Sequence, residues 1–157
     1  MKETIKKIPI ALKKHIVAYN IFIVQFLIIL IVVTVAISNN IHYKDSISKS
    51  YTLACKEAQE SLYEYLNTNE DASYTYMISH IGAMIDISHM ADENSTISHL
   101  NNDLIICHTY LVEAPNESKM YIDFLNEALM MYLEDGNIEG ALIRLKAFNN
   151  RVYQETH

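Results

Sequence analysis

The chain has 157 residues, and the 119 beyond residue 38 suffice for one modest core and not for two. Residues 1–15 hold Lys2, Lys6, Lys7, Lys13 and Lys14 against Glu3, a charge of +4, whereas residues 39–157 hold seven Lys or Arg against eighteen Asp or Glu, a charge of −11. Phosphate backbones and anionic headgroups repel so acidic a stretch, which argues against nucleic acid and lipid surfaces as its partners and leaves cationic or neutral ones.

The first element in chain order is a run of twenty-two uncharged residues, Ile16 to Ile37, in which only Asn20, Gln25 and Thr34 are plainly polar. As a helix this run is about 33 Å long, enough to cross a hydrocarbon core of about 30 Å. Lysines crowd its N-terminal flank, and Ser38-Asn39-Asn40 follows it. The positive-inside bias therefore predicts a cytoplasmic basic tail (1–15), a signal-anchor helix (16–37) in the cell membrane and an extracytoplasmic acidic domain (38–157). Cleavage after Ser38 is the competing reading, since Ala36 and Ser38 are small; the apolar run exceeds the 7–15 residues of a signal-peptide core, which favours an uncleaved anchor. Asn20 and Gln25 are candidates for contact with a neighbouring membrane helix, although five residues place them about 140° apart, on different seams.

Beyond the span, apolar residues recur at helical spacing and alternation is nowhere sustained, which predicts an all-α fold. The first outer helix, about Ile41 to Leu66, carries Ile47, Tyr51, Ala54, Ala58, Leu62 and Tyr65 on one stripe and can continue directly from the membrane helix. A second, about Ala72 to Ala91, shows Tyr74, Met77, Ile78, Ile81, Met84 and Ile85. The third spans about Thr96 to Val112, before Ala114-Pro115-Asn116 breaks the pattern; the fourth spans about Glu117 to Glu134. Asp135-Gly136-Asn137 closes the fourth with Gly where a left-handed conformation costs least, and the fifth covers about Ile138 to Tyr153. Short loops between five amphipathic helices predict an antiparallel bundle. Tyr132, Gly136, Ile138, Ala141, Leu142 and Leu145 make the last two helices resemble one hairpin of a tetratricopeptide repeat; Leu129 departs from the small residue of that pattern, and one unit implies no function.

Histidines are the most distinctive polar feature. His80 and His108, like His89 and His99, are symmetric about Asn94, so a hairpin turning there sets each pair level, with His108 inward, His80 and His89 on flanks and His99 outward. A metal reading recruits His80, Met84, Cys107 and His108, whose imidazole, thioether and thiolate donors suit copper or zinc. No tight ligand motif accompanies them, and histidines spread along helix flanks are more often solvated; the primary expectation is no cofactor. Cys55 and Cys107 lie beyond the span, where a disulfide between them is permitted; the alternative is two small buried thiols. Tyr63, Tyr76, Tyr110 and Met131 lie off the apolar stripes and are the candidates for protein contact. Asn94-Ser95-Thr96 and Asn116-Glu117-Ser118 are sequons, relevant only in a host that glycosylates exported proteins.

No nucleophile with its base, convincing carboxylate pair or phosphate-cradling glycine loop emerges, so the chain does not read as an enzyme. The expected function is a membrane-anchored module that binds another envelope or cell-surface protein, with self-association through the membrane helix as a further option. The alternative is an extracytoplasmic ligand or metal sensor: a membrane helix leading into a helical bundle resembles the outer part of bacterial chemoreceptors and sensor kinases. A fifteen-residue tail leaves no room for an output domain, so a sensor of this design signals through a partner helix.

Overall fold

The structure is a computed structural model that describes residues 10–93 and 95–157, with side chains from Tyr19 onward except that of Asp135. The expected basic tail, 1–15, lies largely outside the described residues, as does Asn94. The fold is all-α, with six α-helices and one 3-10 turn among the described residues: α1 (Ile10–Thr68), α2 (Asp71–Met90), the turn Ser98–Leu100, α3 (Asn101–Glu113), α4 (Pro115–Met120), α5 (Ile122–Asp135) and α6 (Ile138–Thr156). The chain divides into two units, Met1–Tyr43 and Lys44–His157, with α1 contributing to both.

In the first unit α1 is long and apolar enough to cross a membrane, and every residue from Tyr19 to Tyr43 is exposed. The hydroxyl of Thr34 donates to the Leu30 carbonyl at 2.8 Å, so this polar side chain is satisfied within its own helix.

The second unit is a bundle in which Tyr51, Ala54, Ala58, Leu62 and Tyr65 of the stripe predicted on α1 are buried and Ile47 is half-buried; Cys55 beside them is buried as well. Neighbouring helices are identified by their cross-contacts. Tyr65 meets Tyr74 and Glu57 meets His80, which sets α1 against α2. Ser88 bonds Asn101 between α2 and α3, and Asn149 bonds the Asp103 carbonyl between α6 and α3. The hairpin of α5 and α6 closes the ring through Tyr132 and Leu129, which face Tyr51 and Cys55 of α1. The helices therefore run up, down, up, up and down in the spatial order α1, α2, α3, α6, α5. Adjacent pairs are antiparallel except α3 and α6, which run the same way. Side chains from all five meet around a cavity of about 10 Å³ bordered by Tyr51, Cys55, Met84, Leu104, Leu129 and Leu145, among others. The α5–α6 hairpin is thus one wall of a closed ring, a different packing from the stacked units of a tetratricopeptide array.

Local chemistry accounts for the element ends. Gly136 has φ of +58°, the left-handed value expected of it, and its N–H and that of Asn137 cap the carbonyls of Tyr132 and Met131. Asn137 then opens α6 by accepting from the Gly140 N–H at 2.9 Å.

Two boundaries differ from the sequence expectation. The third outer helix begins later, because Ser95 and Ser98 hold the connection in tight turns: the Ser98 hydroxyl donates to the carbonyls of Glu93 and Ser95, each at 2.7 Å. The fourth is two helices. Pro115 starts α4 at its first position, where its missing N–H costs nothing, and Tyr121 (φ −118°, ψ 16°) interrupts the helix before α5. Ser118, fully buried, donates to the Tyr110 carbonyl at 2.9 Å, which ties α4 back onto the end of α3. The chain has to turn at Tyr121 for α5 to run back along the bundle.

Candidate functional site

The end of the bundle where α1 turns into α2 gathers the most varied chemistry. Asn69, one of the few residue types that tolerates a left-handed conformation, has φ of +55° and donates its N–H to the Tyr65 carbonyl at 2.7 Å. This turn brings Tyr65 and Tyr74 together, with ring centroids 5.2 Å apart and planes tilted by 56°. Tyr74 donates its hydroxyl to the Leu111 carbonyl at 3.1 Å, which fixes the end of α3 at the same level. Onto this pair α4 lowers Lys119. Its Nζ lies 4.7 Å from the Tyr74 ring centroid, 5.3 Å from that of Tyr65 and 3.2 Å from Asp71 Oδ1.

Two aromatic faces and a carboxylate form a cage suited to an ammonium group, and the chain fills it with its own lysine. Burial lowers the Lys119 pKa, but the hydrogen bond to Asp71 and the charges of Tyr65 and Asp71 outweigh it, and the net shift is upward. The Tyr74 phenol is pushed up, first by burial and then by Tyr65 and Cys107 beside it. The cage acts as an internal clamp that holds α4 against α1 and α2.

Large apolar side chains stand exposed on the helix segments at this end of the bundle: Tyr63 and Leu66 on α1, Tyr76 on α2, Val112 on α3, Met120 on α4 and Tyr153 on α6. Tyr63, Tyr76 and Met120 are each more than 60% exposed, at 62%, 61% and 66%. Leu111 is fully buried beside Val112, so the core runs directly under this surface.

Of the four off-stripe candidates, Tyr63 and Tyr76 lie on this end. Tyr110 and Met131 are instead half-buried against the core, a correction to their expected exposure. Tyr110 lies where α4 folds back, and Met131 packs at Gly140, where an added Cβ would come within 2.9 Å of its sulfur. Leu66, Val112, Met120 and Tyr153 escaped the sequence reading; each lies in the last residues of its helix, where an apolar stripe is hardest to phase.

The residues of the metal reading are distributed. His80 Nδ1 lies 3.3 Å from Glu57 Oε2 across α1 and α2. His108 lies over Gly82, its Nε2 3.5 Å from where a Cβ would be. Met84 borders the core cavity, and Cys107 is fully buried. Among the described residues no three His, Cys, Asp or Glu side chains come together as a metal-holding group.

The predicted hairpin register is also corrected. Gly82, not His80, is level with His108, and His89 Nδ1 is 3.4 Å from the Asn101 amide rather than opposite His99. The reason is the connection, whose serine turns and 3-10 turn are not symmetric about residue 94. His99 is exposed, as its outward phase predicts.

Cys55 and Cys107 are free thiols, both fully buried. Cys55 is directed at the Leu129 carbonyl, 4.0 Å away, and burial pushes its pKa up to about 12; Cys107 is raised by burial and then by Asp103. Thiols so placed are poor nucleophiles and metal ligands.

In the first unit Asn20 and Gln25 border one shallow surface hollow with Ile21 and Val24.

No family model matches the chain, and no curated protein or solved structure does either.

Proposed function

We propose that this chain is a single-pass membrane-anchored helical module. Its first unit holds it in the bilayer with the N-terminus in the cytoplasm, and its acidic bundle docks another envelope or cell-surface protein outside. The observation that carries the docking reading is the set of exposed Tyr63, Leu66, Tyr76, Val112, Met120 and Tyr153 side chains at one end of the bundle, three of them aromatic, whereas the exposed apolar residues elsewhere on it, among them Leu53, Met90 and Ile143, are aliphatic or Met. Exposed aromatic and Met side chains over a packed core are what protein contacts use. The net charge of −11 in residues 39–157 favours a neutral or cationic partner surface. Support for the anchor comes from the uninterrupted exposure of α1 from Tyr19 to Ile37, where Ile, Leu, Val and Phe would otherwise face water. For the ligand-sensor alternative, the cavity among Tyr51, Met84, Leu104, Leu129 and Leu145 has room for about one water.

Crosslinking in intact cells followed by mass spectrometry tests this reading. The full-length protein is expected to capture a specific membrane or envelope protein. The Tyr63→Ser/Tyr76→Ser variant, whose helical circular dichroism should be unchanged, is expected to lose it. Equal capture by both forms, or no specific partner at all, contradicts the assignment.

A further inference from the structure

We infer that Gln25 is the contact point of a parallel helix pair formed by two copies of this chain within the bilayer, an inference that rests on the reading of α1 as a membrane span. The argument is one of depth. Counting from Ile16, the first residue of the uncharged run, Asn20 lies about 6 Å into the apolar layer and Gln25 about 13 Å, close to the midplane of a layer about 30 Å thick. Asn20 is near enough to the headgroups to stay hydrated. Gln25 is too deep for its side chain to reach either interface.

A carboxamide in hydrocarbon needs a hydrogen-bonding partner. Thr34 finds one in its own helix, at the Leu30 carbonyl. Gln25 has none among the described residues; it is exposed and borders the hollow with Asn20, Ile21 and Val24. The partner therefore comes from beyond the described residues, and in the apolar layer it has to lie near the same depth.

A second copy meets both conditions. Copies inserted with the same topology carry Gln25 at the same depth. A carboxamide is both donor and acceptor, so two of them about a two-fold axis along the membrane normal satisfy each other. The flanking Ile21 and Val24 then pack against their counterparts as the helices approach. A different membrane protein would need a polar group placed independently at that level.

The test uses the full-length chain carrying donor or acceptor fluorophores, reconstituted in lipid vesicles. Flotation comes first: protein that fails to float with the vesicles overturns the anchor reading and this inference with it. For protein that floats, energy transfer above the random-encounter level is expected. Gln25→Leu should weaken the association constant by about 3- to 30-fold, while Gln25→Asn should retain most of it. Because leucine suits the bilayer, loss of pairing in that variant is not loss of insertion. Only random transfer, or transfer that Gln25→Leu leaves unchanged, overturns the pairing while the anchor reading stands.

Discussion

Two stretches of the same helix follow opposite rules. Between Ile21 and Ile37, α1 exposes its Ile, Leu, Val and Phe side chains all round, whereas between Tyr51 and Tyr65 it buries a stripe of apolar residues and leaves Lys56, Glu60 and Glu64 outside. The backbone hydrogen bonding is the same in both; the solvent each stretch is composed for differs. The first carries no polar face for water and is long and apolar enough to cross a membrane, which on the proposed reading covers it with lipid. The second is half a core and depends on α2 and α5 to cover it.

The sharpest way to break the comparison is to give the first stretch a charge. Leu27→Arg with Ile31→Arg should remove the chain from the membrane fraction, because each arginine near the centre of a span costs about 2.5–3.5 kcal/mol on insertion scales. Retention of the double variant in membranes would show that this stretch is not the anchor.

Smaller but equally diagnostic is truncation of one side chain in each stretch. Leu62→Ala should lower the unfolding free energy of the bundle by about 2–5 kcal/mol, because it empties a fully buried site. Ile31→Ala should change that free energy by less than about 0.5 kcal/mol. Denaturant titration of the full-length protein in detergent, followed by circular dichroism, measures both.

Alkaline pH probes the buried side directly. Cys55 has a folded-state pKa of about 12 against an ordinary 9.0, so its contribution to stability is fully present below pH 9. It is lost as pH rises from 9 to 12, where the unfolded chain releases the proton and the folded chain does not. Tyr51 and Tyr74, also pushed up by burial, steepen the same loss. The midpoint of unfolding should therefore fall across that window, and iodoacetamide at pH 8 should label the cysteines far faster in denaturant than in the folded protein.

The smallest effect concerns a turn. Gly136→Ala should cost about 1–2 kcal/mol, since the left-handed conformation burdens any residue with a Cβ. A midpoint unchanged by this substitution would mean that the α5–α6 turn is not held as described.

What could be read from the sequence follows the same division. The apolar stripe of α1, the left-handed Gly136 and the helix-breaking region around Pro115 announce themselves through local patterns of a few residues. The Lys119 clamp does not, because its partners Tyr65, Tyr74 and Asp71 lie 45 to 54 positions earlier in the chain and only the ring topology brings them together. The same holds for the split at Tyr121, which follows from Ser118 docking on the Tyr110 carbonyl, and for the two-residue displacement of the α2–α3 register. That register depended on hydrogen bonds within a serine-rich connection, which helical periodicity does not encode. Tyr110 and Met131 were misplaced for a related reason: α4 and Gly140 cover positions that lie off the main stripe.

Protease treatment of intact cells, combined with alkaline carbonate extraction of the membranes, tests the central claim most directly. The account predicts that the chain stays in the carbonate-resistant pellet. It also predicts that external protease degrades residues 44–157 and leaves a membrane-embedded fragment containing the apolar part of α1. A chain released by carbonate, or a bundle digested only after the membrane is permeabilised, would contradict it.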